Sequence, residues 1–382
     1  MLLCLVASAS RADQTPFEIN VMVAQSGAGA ATGEATTQVL KALEQYVNRN
    51  GGLRNRPIHI AFHDNQSSPQ VDIQLTNQVL AAHPSIVVDS GPAYNCGAVA
   101  ALYARGPVLW CLSPAFYPDK SPYAFTGGFE SIEGMKTILT YMQRSGWKRI
   151  AILTLTDLAG QEADKSLHEL LASPSYRDIT PVAWEHFGSN DISVRAQLAR
   201  MHAASPQAIL AWASGAPNGI FYTSLRDAGW DIPVLGSSSV QVGAFVKRFG
   251  TLFPENYYVY SAAWPAYSRL REGAYKAVLR KYLSIFDAAG VSPDANDVIA
   301  WDSVMIVVEA YEKLGLDATP DQMRDYISSL RGYAGMSGIY DFRSYPQRGL
   351  GINDSIVVKW NHAKNVWEPV SGRAGADLTS LK

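Results

Sequence analysis

Short apolar segments alternate with longer amphipathic segments along most of this chain. Short apolar runs predict strands, and apolar positions that recur every three or four residues predict helices, as at 36–50, 70–82 and 134–145. The predicted strands are 17–24, 58–63, 86–89, 108–112, 149–154, 182–186, 208–213, 234–236 and 257–261. This rhythm predicts parallel sheets covered by helices, with the loops that follow the strands gathered at the edge where ligands bind.

The length of the chain indicates more than one core. Its 382 residues exceed one ordinary domain and predict two domains. No short-period repeat, low-complexity tract or polar linker divides the sequence, so we expect the two lobes to exchange segments at packed crossings. The predicted fold class is α/β, with two Rossmann-like lobes built on parallel sheets.

Composition and charge restrict the possible partners. Hydrophobic residues make up 47% and charged residues 17% of the chain, which is typical of a globular protein. The formal net charge is -2, and no run rich in Lys and Arg is present, so we do not expect a nucleic acid partner. After the N-terminus no segment approaches the roughly 18 consecutive apolar residues of a transmembrane helix.

The first residues suggest export. An apolar run at 2–6 is followed by small residues and by Ser10, Arg11 and Ala12, which fit a small-x-small cleavage site. We therefore expect residues 1–12, with Cys4, to be the remnant of a signal peptide cleaved near Ala12. The mature protein is expected in the periplasm. A frayed terminus is the alternative.

Two cysteines remain after this segment. Cys96 and Cys111 lie near the ends of predicted neighbouring strands, and an oxidising compartment permits a disulfide. Spacing alone does not establish pairing, and buried cysteines often behave as small apolar side chains. We expect two buried free thiols, with the disulfide as the alternative.

Catalytic motifs are weakly represented. Gly27, Gly29 and Gly33 follow the first strand as GxGxxxG, which is similar to a dinucleotide-binding loop but has one residue too many. A tight turn into a helix is the alternative. HExxH, CxxC, GxSxG and Walker motifs are absent, and His59 and His63 share a strand face without a third ligand. We expect no enzyme activity, no cofactor and no metal.

Several stretches together carry a family resemblance. Residues 50–58 combine a glycine helix stop with a second strand, residues 63–69 form an Asp-Asn loop with Pro, and residues 86–92 form a strand ending in Gly-Pro. Further matching stretches are 26–27, 112–114, 146–151 and 228–236. The pattern resembles the branched-chain amino-acid type of ABC substrate-binding protein, a type I periplasmic binding protein.

The resemblance implies a non-catalytic clamshell with interlobe crossings near Glu130, Trp264 and 341–342. The implied boundaries are 17–130 and 265–341 for lobe one, 131–264 and 342–372 for lobe two, and 373–382 for a C-terminal tail. A small organic ligand would bind in the cleft and stabilise the closed form. The expected partners are the inner-membrane ABC permease subunits with their ATPases, and the protein itself is expected to be a monomer.

The lobe-two part of the site departs from the family pattern. Family members pair the ligand ammonium with an acidic residue, but here the corresponding turn carries Ser237, Ser238 and Ser239. Leu158 follows Asp157 where the family often supplies a tyrosine. An unpaired buried ammonium is costly. We therefore favour an aromatic or hydrophobic carboxylate or keto acid, with an amino acid or a small amide as the alternative.

The candidate ligand-binding residues lie in loops after strands, where hydroxyl and backbone donors suit an anion and aromatic rings offer flat walls. The full set is Ser26, Tyr94, Asn95, Ala115, Phe116, Tyr117, Asp157, Leu158, Ser214, Gly215, Ser237, Ser238 and Ser239. Trp264 is a further candidate wall, whereas Trp212 is expected in the core, and any of these rings can instead pack beneath a loop. A ligand-sensing receptor or regulator of the same fold, or a nucleotide-dependent enzyme, are the alternatives of another class.

Overall fold

The short apolar runs of the sequence become the strands of large sheets. The computed structural model describes residues 15–118, 121–213 and 215–381. The strands are β1 (Phe17–Val23), β2 (Ile58–Asp64), β3 (Ile86–Asp89), β4 (Val108–Cys111), β5 (Ala124–Thr126), β6 (Arg149–Leu155), β7 (Thr180–Phe187), β8 (Ala208–Trp212), β9 (Val234–Gly236), β10 (Tyr257–Ala262), β11 (Arg331–Ala334), β12 (Ile339–Asp341), β13 (Ser355–Asn361) and β14 (Val366–Pro369).

Helices connect most of these strands. They are α1 (Ala30–Arg49), α2 (Pro69–Leu80), α3 (Ala93–Val99), α4 (Ser131–Arg144), α5 (Leu158–Ala172), α6 (Arg195–Ala203), α7 (Pro217–Asp227), α8 (Gly243–Phe249), α9 (Ala274–Ala288), α10 (Ala295–Leu314) and α11 (Pro320–Ser329). Several begin at residues that satisfy free backbone N–H groups: Asp294 and Thr319 form capping boxes at α10 and α11, and Ser68 caps α2. No described helix has the length and apolarity needed to cross a membrane.

The first sheet has the strand order β2-β1-β3-β4-β5, and all its pairings are parallel. Its inner strands are buried on both faces, as expected for a parallel sheet covered by helices. Val21 and Val88 belong to the main core, while Met22 and Val87 face the opposite side with residues of α2 and α3. Helix α10 packs along α1, and α9 also contacts it.

The second sheet has the order β14-β13-β10-β9-β8-β6-β7. Strands β6 to β10 pair in parallel, whereas β13 pairs antiparallel with both β10 and β14. Strands β11 and β12 form a separate antiparallel pair. The predicted α/β fold with two sheets is confirmed, although its second sheet is mixed at one edge rather than wholly parallel.

The molecule has two halves: the first is built on the sheet β2-β1-β3-β4-β5 with its helices, and the second on the sheet that contains β6 to β10. The chain passes between these halves more than once. It leaves the first sheet after β5, leaves the second sheet after β10 to form α9 and α10 against α1, and returns to the second sheet after β12. The short helix Arg373–Gly375, in the segment that we assigned to a tail, packs on α4 and β13. Residues 1–12, where we expect a signal peptide, lie outside the described residues.

The prediction of two free thiols is wrong. Cys96 in α3 and Cys111 at the end of β4 are joined by a disulfide, with their Cα atoms 6.0 Å apart. Both residues are fully buried. The pairing arises because α3 folds back over the sheet and lies beside β4, which the 15-residue separation along the chain does not reveal.

Candidate functional site

The loops after β1, β3 and β4 meet at the carboxyl edge of the first sheet and enclose a cavity of about 180 Å³. Residues 90–92 follow β3 and residues 112–114 follow β4, while the first turn of α1 closes another side. Asn296, near the start of α10, completes the described lining. This edge of a parallel sheet, where strand order reverses around the first strand, is the usual ligand site of doubly wound folds.

The polar groups of this lining are neutral. Hydroxyl groups come from Thr32, Thr36, Ser90 and Ser113, and an amide comes from Asn296. Ser90 donates its hydroxyl hydrogen to the carbonyl oxygen of Met22 at 3.0 Å, so its oxygen can still accept a hydrogen bond. Hydroxyl and amide groups of this kind can donate hydrogen bonds to a carboxylate.

The glycines after β1 are explained by close packing. A Cβ atom at Gly33 would lie 2.0 Å from the carbonyl oxygen of Ala24, so only glycine lets α1 approach the end of the strand this closely. Gly27 has φ +79 and lies against the backbone of Gln66. These contacts account for the GxGxxxG spacing without a nucleotide.

A smaller cavity of about 30 Å³ continues from the first toward the second half of the molecule. Pro114 lines both cavities, and Ser238, Gln241 and Tyr260 line the smaller one from the second half. Burial raises the pKa of Tyr260, which keeps its phenol protonated. The apolar part of this lining includes Phe129, Val298, Ile299 and Trp264.

Direct hydrogen bonds join the two halves beside this cavity. The N–H of Gly243, at the start of α8, donates to a carboxylate oxygen of Asp294 at 2.8 Å. The N–H of Ala295 donates to the carbonyl oxygen of Gln241 at 3.5 Å. The described lining of the larger cavity comes from the first half, whereas both halves line the smaller cavity, which is bounded on this side by contacts between them.

The lobe-one candidates predicted from sequence occupy different surroundings. Ser26 is exposed, and its N–H and hydroxyl both donate to Asp64, at 3.1 and 2.7 Å. Asn95 is fully buried and donates to Asp72 at 2.8 Å, whereas Tyr94 is 56% exposed. None of these residues is among the described lining of the two cavities.

The candidates after β4 divide in the same way. Ala115 is exposed, and Phe116 is buried in the apolar cluster beneath the sheet with Met22. Tyr117 is 51% exposed, lies with its ring centroid 5.5 Å from the guanidinium carbon of Arg348, and is close enough to Tyr260 to influence its pKa. Tyr117 therefore lies against Arg348 and near Tyr260.

The lobe-two candidates are led by Ser238, which lines the smaller cavity. Ser237 is buried, and its hydroxyl contacts that of Ser239 at 2.6 Å, while Ser239 itself is exposed. Asp157 caps α5 by accepting from the N–H of Gly160 at 2.9 Å. Gly215 is exposed with φ +68, α5 begins at Leu158, and Ser214 lies outside the described residues.

A buried carboxyl pair supports the loop after β3. Asp89 is fully buried and accepts from the N–H of Gly91 at 2.7 Å, directly beneath the cavity lining. Burial and the neighbouring Asp72 carboxyl raise the pKa of Asp89 well above its ordinary value. Asn65 and Asn95 both donate to Asp72, so the loop rests on a fixed polar network.

Metal ligands do not cluster in the part of the chain that the structure describes. His63 contacts the side-chain oxygen of Asn20 at 2.7 Å, and His59 lies 3.6 Å from Glu44. Burial lowers the pKa of His63. These two histidines therefore serve separate local contacts.

Comparison with known families decides the identity of this fold. The family model described as periplasmic binding protein matches residues 16–365. The chain belongs to the periplasmic binding protein family. No curated protein matches its sequence. The resemblance read from the sequence stretches is thereby confirmed.

Solved periplasmic binding proteins have the same overall fold. An extracellular ligand-binding receptor from Rhodopseudomonas palustris HaA2 has a TM-score of 0.77 and 18% identity, covering 93% of this chain and 100% of its own. A type 1 periplasmic binding protein from Bordetella pertussis Tohama I has a TM-score of 0.75 and 17% identity, covering 93% and 99%. The branched-chain amino acid transporter substrate-binding protein of Streptococcus pneumoniae, solved with isoleucine, has a TM-score of 0.75 and 21% identity, covering 93% and 99%.

Sequence reasoning missed several residues that line the cleft of this periplasmic binding protein. Ser90 and Ser113 stand one and two residues after the ends of β3 and β4, and this position was the available signal. Asn296, Gln241 and Tyr260 come from distant parts of the chain, and their place in the cleft depends on how the halves pack. No local sequence pattern marks them.

Proposed function

We propose that this protein is the periplasmic solute-binding component of an ABC importer and captures a small aromatic or hydrophobic carboxylate, such as a keto acid. The ligand would occupy the described cavities between the two halves and favour the closed form by contacting both. The permease with its ATPases then recognises that form. The lobe boundaries given above are part of this proposal.

The neutral lining of the cleft carries the ligand assignment. Among the described residues that line the two cavities, none has a charged side chain. An ammonium placed there would lose its hydration without gaining a carboxylate partner, which is costly. A zwitterionic amino acid is therefore disfavoured relative to an acid of the same shape.

Helix positions favour an anion in the larger cavity. Gly29, Thr32 and Gly33 place the N-terminal turn of α1 against it, and Asn296 places the start of α10 there. Both helices are 20 residues long. The N-terminal end of α1 carries partial positive charge, which stabilises a carboxylate without a basic side chain. At α10 the first N–H groups already donate to Asp294 and Gln241, so the amide of Asn296 is the group that this helix offers.

Aromatic side chains at the other end of the cleft suit an apolar ligand group. Tyr260 lines the smaller cavity and stacks on Trp212 with ring centroids 5.7 Å apart and planes 10° apart. Trp264 contributes a second wall, and Tyr117 of the first half lies near Tyr260. Flat aromatic walls bind planar or hydrophobic groups well.

A branched-chain amino acid is the second candidate. It is favoured by the similar Streptococcus pneumoniae protein, which was solved with isoleucine. This candidate requires an acidic partner for the ammonium, but no acidic side chain is among the described lining of the two cavities, and Asp294 beside them already accepts from the N–H of Gly243. The two candidate functions therefore predict opposite orders of affinity for a keto acid and the amino acid with the same side chain.

Calorimetric titration with ligand pairs that differ only at the amino group tests the proposal. Phenylpyruvate should bind at least about tenfold more tightly than phenylalanine, because an unpaired buried charge costs more than about 1.4 kcal/mol. The pair 4-methyl-2-oxopentanoate and leucine should follow the same order. Tighter binding of both amino acids would contradict the ligand assignment and leave the transport role intact.

A further inference from the structure

We propose that Arg348 is a positioning residue that fixes the cleft loop at 113–117 to the first crossing between the halves. This inference rests on the proposed function, because it assigns the residue a role in ligand capture. Arg348 lies between β12 and β13, in the last segment that passes between the halves. It is far from the loop in sequence and was not among the predicted site residues.

The guanidinium of Arg348 bridges two distant segments. Nη1 donates to the carbonyl oxygens of Pro114 at 3.0 Å and Gly128 at 3.5 Å, and Nη2 donates to that of Phe116 at 3.0 Å. Nε lies 3.6 Å from a carboxylate oxygen of Glu130. One side chain therefore connects the cleft loop to the residues immediately before α4.

Burial makes these bonds necessary. Arg348 is only 4% exposed, so its charge has lost most of its hydration. Backbone carbonyl dipoles, the Glu130 carboxylate and the face of Tyr117 replace that hydration. A planar guanidinium satisfies several acceptors in a fixed geometry, which the single ammonium of lysine cannot do.

The neighbouring residue strengthens the same connection. The amide nitrogen of Gln347 donates to the carbonyl oxygens of Ser121 at 2.5 Å and Ala124 at 2.8 Å. Its own carbonyl oxygen accepts from the N–H of Thr126 at 2.9 Å. Residues 347–348 thus hold the described part of the segment between β4 and β5 at both of its ends.

The cleft loop at 113–117 contributes residues to the proposed ligand site, so its order affects ligand affinity. Ser113 and Pro114 line the cavities, and the ring of Tyr117 lies against the Arg348 guanidinium. Without the guanidinium, the carbonyls of Pro114 and Phe116 lose their common donor, and the loop must be ordered when ligand binds. The cost of that ordering is subtracted from the affinity.

Hydrogen exchange of the ligand-free protein tests the role directly. The variants are Arg348→Met, Arg348→Lys and the control Arg373→Met. Arg373 also donates to a carbonyl, that of Asn353 at 2.8 Å, and lies 3.8 Å from Asp354 and beside the ring of Tyr275. These described contacts of Arg373 involve neither the cleft loop nor Glu130.

Peptides covering 112–118 should exchange at least about tenfold faster in both Arg348 variants and at the wild-type rate in Arg373→Met. Peptides from β6 and β8 serve as the internal reference. Arg348→Lys should recover most of the thermal stability lost in Arg348→Met, because the charge beside Glu130 is kept, yet should not recover loop protection. The proposal would be overturned if Arg348→Lys recovered loop protection together with thermal stability. It would also be overturned if loop exchange were unchanged in both Arg348 variants.

Affinity provides the second measurement, with phenylpyruvate as the probe. Both Arg348 variants should raise its Kd about tenfold, equivalent to about 1.4 kcal/mol, and Arg373→Met should leave the Kd within about twofold. An unchanged Kd in the Arg348 variants would refute the role in capture. If phenylpyruvate does not bind the wild type, the proposed ligand class fails, and the exchange rates still decide the role of Arg348.

Discussion

The disulfide between Cys96 and Cys111 joins α3 to β4, the two elements that adjoin the cleft loops at 90–92 and 112–114. Cys96 lies in α3, just after the loop at 90–92, and Cys111 is the last residue of β4, just before the loop at 112–114. Replacing both cysteines by alanine removes this cross-link. The substitution therefore tests both the pairing and its contribution to the stability of the first half.

The expected loss can be worked from the length of the closed loop. The cysteines are 15 residues apart, and closing a loop of about this length stabilises a protein by about 3 kcal/mol in the chain-entropy description. Unfolding entropy is about 2.1 cal/mol/K per residue, so 382 residues give about 0.8 kcal/mol/K. The double variant should then melt about 4 °C lower than the wild type.

The assay is thermal unfolding of wild type and the Cys96→Ala/Cys111→Ala variant, with and without reductant. Reductant should lower the Tm of the wild type toward that of the variant and leave the variant unchanged. Titration with a thiol reagent in denaturant should detect neither cysteine of the pair in the untreated wild type. Two reactive thiols, together with equal melting temperatures, would refute both the pairing and the stability argument.

Two further predictions concern pH and the cleft wall. Burial raises the pKa of Asp302 to about 6, so the folded state binds an extra proton between about pH 4 and 6. The free energy of unfolding should therefore fall by about 3 kcal/mol as pH rises through that window, and urea denaturation of Asp302→Asn should lack this component. Equal pH dependence of the free energy of unfolding in the wild type and in Asp302→Asn would contradict this prediction. For the wall, Tyr117→Ala should weaken phenylpyruvate binding by about 1 kcal/mol, whereas the equally exposed control Tyr94→Ala should not, as measured by calorimetry. Equal effects of the two substitutions would remove Tyr117 from the proposed site.

The β–α pattern predicted most of the fold because parallel strands buried on both faces are short, continuous apolar runs. Strand 86–89 was predicted with its observed bounds, and 234–236 likewise. Strand β5 was not predicted, because its three residues, Ala124–Thr126, include a single large apolar side chain, whereas the equally short β9 has two. Strands β11 to β14 were not predicted, because they pair antiparallel after the β–α alternation has ended.

The start of α1 shows how packing overrides local signals. The sequence predicted this helix from residue 36, because the glycines before it suggest a turn. The helix instead begins at Ala30 and contains Gly33, whose missing side chain allows contact with Ala24. The start of α1 therefore lies at the cavity. Helix propensities alone do not predict this early start, because glycine disfavours helix.

The predicted site residues and the described cavity lining lie in the same loops but differ residue by residue. Residues 94–95 and 115–117 were expected to contact ligand, but these two loops contribute 90–92 and 112–114, nearer the strand ends, to the described cavity lining. The difference arises because α3 begins at Ala93 and turns Asn95 into the core, and Phe116 also points into the core. Cross-cleft residues such as Gln241 depend on tertiary packing, which sequence spacing does not specify.

A crystal structure of the protein with phenylpyruvate tests the central claim most directly. We expect the ligand to lie between the two halves, with its carboxylate among the hydroxyl groups of Thr32, Ser90 and Ser113 and its ring toward Tyr260. A ligand bound outside this cleft, or one whose carboxylate is paired with a basic side chain elsewhere, would contradict it.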